Sequence, residues 1–137
     1  MILKGITTLV FMLSITILNA QEYLGVFENS ADQQLYVVQT KPNEAAALLR
    51  VENFKETTEA PDVSQTIGAV YSQQYQRVFA VYTNSEELVI AHSVELGDNQ
   101  AVEIKERFGV VFEPNYQSYF GLVLTSDNRL MALRVTY

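Results

Sequence analysis

The chain holds a single histidine, His92, and no cysteine. Any imidazole-assisted nucleophile and any histidine metal site must therefore pass through one ring, and thiol chemistry is excluded. Carboxylates are plentiful, with 16 Asp and Glu against 9 Lys and Arg, and a facing pair of them is the minimum for glycoside hydrolysis. The pairs on offer are Glu86 with Glu87 and Glu28 with Glu113. Glu52, Glu56, Glu59 and Asp62 gather around Pro61 without the alternating Asp/Asn, central Gly and terminal Glu of a calcium loop, and read as a solvated connection. No glycine-rich phosphate loop and no Asn-x-Ser/Thr acceptor occurs. Recognition has better material: Tyr75 before Gln76, and Tyr116 before Gln117, each set a flat apolar ring beside an amide that donates and accepts. These four are the candidate ligand-binding residues, and no catalytic group, metal or cofactor is assigned.

What positions them is a repetition. Leu24–Phe54, Ile67–Leu96 and Phe108–Tyr137 align without gaps, with the glycines Gly25, Gly68 and Gly109, the glutamines Gln33, Gln76 and Gln117, the aromatics Tyr36, Phe79 and Phe120, and the valines Val51, Val94 and Val135 in register. A shared period of about 42 residues implies a unit of several strands that cannot bury its apolar face alone. The alignment puts His92 in the column of Leu49 and Leu133, a core position. Glu28 and Glu113 fall one position out of phase, and Glu86 and Glu87 are neighbours in a polar turn.

Within the central copy, the apolar runs Gly68–Tyr71, Val78–Tyr82 and Leu88–Ala91, the last continuing to Leu96, are separated by the turns SQQYQ and TNSEE. Short Val-, Phe-, Tyr- and Ile-rich runs bounded by turns are strands, and unbroken ones imply burial on both faces. After Gly97, the segment AVEIKER alternates Val102 and Ile104 with Glu103 and Lys105, as a charged outer strand does. Each unit is thus expected to be a four-stranded antiparallel meander. In the first copy the third strand is placed at Ala46–Val51, with a short helix at Glu44–Arg50 as the local alternative, and the fourth at Val63–Thr66. The third copy stops after its third strand, so eleven strands are expected in all.

The order of Gly, apolar strand, polar turn, aromatic apolar strand, turn and apolar strand, seen best in FGVVFEPNYQSYFGLVLTSDNRLMALRV, resembles a β-propeller blade. The resemblance lies in apolar pattern; the Trp-Asp signature is absent. A β-trefoil, also three copies of a four-stranded unit, is the alternative. The Gln-x-Trp repeats of ricin-type lectins are similar in placing Gln in a repeated turn, but here Leu35, Val78 and Tyr119 follow two residues later and the chain has no Trp. Propellers ordinarily have four to eight blades. Three would leave an apolar face uncovered at each end, which implies a homo-oligomer, two chains completing six blades, or docking on a larger partner.

Lys4, the uncharged run Ile6–Leu18 and Asn19-Ala20-Gln21 have the layout of a secretory leader cleaved after Ala20. Thirteen apolar residues span only ~20 Å as a helix, short of the ~30 Å needed for a membrane anchor. Residues 21–137 then form one domain, with repeats at 24–66, 67–107 and 108–137, released to the extracellular space or periplasm. Losing Lys4 takes the net charge from −7 to about −8, which argues against nucleic acid and anionic membranes. The function expected is non-enzymatic: a secreted binding or assembly module for a protein or glycan. The alternatives are a carboxylate-dependent glycan hydrolase and an inactive partial propeller.

Overall fold

The computed structural model describes residues 22–97 and 101–136. The leader expected at 1–20 lies outside them. Ten strands are described: β1 (Glu22–Glu28), β2 (Leu35–Thr40), β3 (Ala47–Arg50), β4 (Asn53–Lys55), β5 (Gln65–Ser72), β6 (Arg77–Thr83), β7 (Val89–Val94), β8 (Ile104–Glu113), β9 (Ser118–Thr125) and β10 (Leu130–Arg134). There is no helix among the described residues, so Ala47–Arg50 is extended despite its alanines, held by pairing to β2 from Tyr36↔Arg50 to Gln39↔Ala47. The class is all-β.

The strands form three sheets, in the orders β1-β2-β3, β4-β7-β6-β5 and β10-β9-β8, and no closed barrel among the described residues. The three first hairpins share one register. Gly25 pairs with Val38, Gly68 with Val81 and Gly109 with Leu122, each directly after a bulge. Glycine is favoured at this bulge for two different reasons. Gly109 has φ +133°, a conformation closed to residues with a Cβ. At Gly68 an added Cβ would lie 3.1 Å from Cγ1 of Val26 in the neighbouring sheet.

The four-stranded meanders are corrected in one respect: the outer segments belong to the following sheet. The first sheet has three strands. The segment after β3, as β4, runs parallel along β7 of the second sheet through Asn53↔Ile90 to Lys55↔His92, and Leu96 makes a parallel bridge to Ala132 of β10. Val63–Thr66 supplies no fourth strand to the first sheet; Gln65 and Thr66 open β5. The charged run Ile104–Arg107 is likewise the start of β8, where Ile104, Glu106 and Arg107 pair with Thr125, Leu124 and Val123 across two bulges. An alternating strand with one wet face suits either place; the choice falls to whichever neighbour has a free edge.

Two cores join the sheets. Leu35, Val37 and Val51 of the first sheet and its following link pack with Val70, Phe79, Val81, Val89 and Ala91 of the second. The opposite side of the second, Val78, Ala80, Tyr82, Ile90 and Val94, packs with Phe108, Val111, Phe120, Leu122 and Ala132 of the third. β6 and β7, buried on both faces, are the middle layer that their unbroken apolar runs imply. The first strands lie in series, with β5 against both β1 and β8.

Candidate functional site

The turns that end the first strands carry the candidate residues, and their shape is set locally. A side-chain acceptor opens each turn. Asn29 Oδ1 accepts from the Ala31 amide at 2.9 Å, Ser72 Oγ from the Tyr75 amide at 3.2 Å, and Glu113 Oε2 from the Tyr116 amide at 2.8 Å. Each turn closes on a glutamine in the left-handed region: Gln33 at φ 60°, Gln76 at 52° and Gln117 at 48°. A turn ending in a left-handed residue returns the chain into an antiparallel partner. The repeated glutamines thus have a backbone role, each ending its turn in the left-handed conformation.

Between these turns, where β1, β5 and β8 end, lies a cleft of about 880 Å³. Val26, Phe27, Val70, Val111 and Phe112 give it an apolar floor, and Gln33, Gln73, Gln76 and Asn115 bring amides to its rim. Of the four candidates, Gln76 lines the cleft; Tyr75, Tyr116 and Gln117 are not among its lining residues. Tyr75 is exposed and packs on Phe54 and Phe79, with centroids 5.5 and 5.9 Å away, while Tyr116 packs edge-on to Phe120 at 6.1 Å. Asp32, in the position of the two tyrosines, accepts a hydrogen bond from the Tyr36 hydroxyl and one from the Gln34 amide, which hold its carboxyl below the usual range.

The floor residues sit on strands, outside the polar turns that carry the candidate residues. Three of them, Phe27, Val70 and Val111, stand in one column of the sequence, near the ends of the three first strands.

The carboxylates near the cleft are engaged. Glu28 of the first sheet accepts from the Ser72 hydroxyl and, at 2.8 Å, from the Gln73 amide, tying the first two sheets together. Glu113 is 3% exposed and takes the Asn115 side-chain amide at 2.9 Å besides the turn amides. Glu86 and Glu87 lie exposed in the turn after β6.

His92 is elsewhere. It is 1% exposed, on β7, with Nδ1 2.8 Å from the Tyr82 hydroxyl. Burial depresses its pKa, and the same burial raises the Tyr82 phenol to about 12. It borders a second hollow of about 540 Å³ between Thr57–Pro61 and Arg129–Met131. Among the described residues no group of three or more His, Asp or Glu is arranged to hold a metal.

Comparison with known proteins returns no match, whether to family models, to curated proteins or to solved structures.

Proposed function

We propose that this chain is a secreted, non-enzymatic binding module whose three sheets are successive propeller-like blades, and that it takes a peptide or glycan in the cleft where the first strands end. The observation that carries the reading is that cleft. An apolar floor with two phenylalanines and a rim of four amides is the composition that holds a ligand by contact and orients it by hydrogen bonds. Three open sheets stacked through both faces of the middle one favour blades over a trefoil, whose strands close a barrel. A carboxylate hydrolase has less support. It needs two carboxyl groups facing one sugar, one of them free to move a proton, whereas Glu28 and Glu113 are committed to turn amides and a serine hydroxyl.

A glycan array and a peptide array, probed with the purified chain, test this reading. Capture of one class is expected, reduced about tenfold or more, the ~1.4 kcal/mol of one good hydrogen bond, in Gln76→Gly. Glycine keeps the left-handed turn and removes the amide. Absence of capture on both arrays, or cleavage of a captured glycan, refutes it.

A further inference from the structure

Each sheet has a face toward the following sheet and a face toward the preceding one, and the aligned columns keep to one or the other. Forward columns run Val26, Ala69, Val110 and Leu35, Val78, Tyr119. Backward columns run Leu24, Ile67, Phe108 and Leu48, Ala91, Ala132. Both buried junctions pair a forward face with a backward one: first sheet forward on second backward, second forward on third backward. Among the described residues two faces stay uncovered, and they are of opposite kinds. The backward face of the first sheet leaves Leu24 at 74% exposure where Phe108, in the same column, has 8%. The forward face of the third leaves Val110 at 62%, together with exposed Phe112, Tyr119 and Val135.

We infer that two copies of this chain associate head to tail, the forward face of each third sheet packing on the backward face of the other copy's first sheet, to close a ring of six sheets about a twofold axis. This rests on the blade reading of the three sheets and goes beyond the binding function. The occupant is a second copy because the molecule itself carries both halves of a junction it already makes twice. A contact between two different patches either closes a ring or propagates, and six sheets fall within the closing range of blades, whereas three do not.

Two details fit the same partner. Val26 reaches over Gly68 at the first junction, and the equivalent approach at the new one sets Val110 over Gly25 of the second copy. The edges of β7 and β10 are covered by β4 and by the Leu96 bridge, while β3, the corresponding edge of the first sheet, is exposed along its whole length.

Sedimentation equilibrium of the purified chain at micromolar concentration should return twice the chain mass. Leu24→Glu and Val110→Glu change exposed residues on the two faces, so each should keep the wild-type circular dichroism spectrum and halve the mass. A monomeric wild type overturns the inference, as does a dimer that survives either substitution. Phe108→Glu separates this from failure of the blade reading. The same kind of change, made at a junction inside the chain, should unfold it; a folded Phe108→Glu variant refutes the blade stacking itself, whatever the mass.

Discussion

Phe79→Ala removes a ring from the junction of the first two sheets. Phe79 is 3% exposed, and its ring meets Phe54 at 5.8 Å and Tyr75 at 5.9 Å, both edge-on. Truncating a buried Phe costs ~3–5 kcal/mol, lost transfer energy plus the cavity left behind. Phe54 and Tyr75 are partly exposed and can settle into part of that space, which places the loss nearer the lower figure than a sealed site would. Against a typical stability of ~5–15 kcal/mol the loss is large but survivable. At about 4 °C per kcal/mol for a domain of this size, a loss of ~3–4 kcal/mol should lower the melting temperature by about 12–16 °C. Thermal unfolding followed by circular dichroism measures it, with a urea titration to check that the slope m is unchanged. A shift under about 3 °C refutes the placement of Phe79 between the sheets and, with it, the assignment of the backward face.

Other consequences are as direct. Burial lowers the folded pKa of His92 below 6.5, and the unfolded chain therefore takes up the proton first. Stability is then full above the unfolded value and lost as pH falls through 6.5 toward the folded one, so the urea midpoint should drop between pH 7.5 and 5.5, a drop that His92→Leu diminishes. Tyr82→Phe strips a buried imidazole nitrogen of its partner and should cost about 1–3 kcal/mol, whereas adding His92→Leu should cost less than the sum of the two single changes, as a double-mutant cycle in urea would show. At Gln33, Gln76 and Gln117 a change to Gly should be neutral or stabilise by up to about 1 kcal/mol, and a change to Val should destabilise by about 1–2 kcal/mol, because all three backbones are left-handed. Equal effects of Gly and Val on the melting temperature would contradict that turn geometry.

Local chemistry was legible wherever one segment decides its own shape. The runs Val78–Tyr82 and Leu88–Ala91 announced strands buried on both faces, found at Arg77–Thr83 and Val89–Val94, since only a middle layer tolerates unbroken apolar residues. The glycine columns marked the bulges, and His92 in a leucine column marked a core site. The cleft was not legible, because its floor is assembled from the ends of β1, β5 and β8, far apart in the chain and each ordinary by itself.

By itself, then, the sequence determined the all-β class and the first three strands of each copy with the turns between them, which follow from side-chain period and backbone preference over a few residues. Tertiary structure alone decided three things: that Asn53–Lys55 pairs with β7, that Ile104–Arg107 opens β8, and which of Leu24 and Phe108, equivalent in pattern, is covered. The reason is physical: a short segment pairs with whatever free edge the fold brings beside it, and burial belongs to the neighbour as much as to the residue.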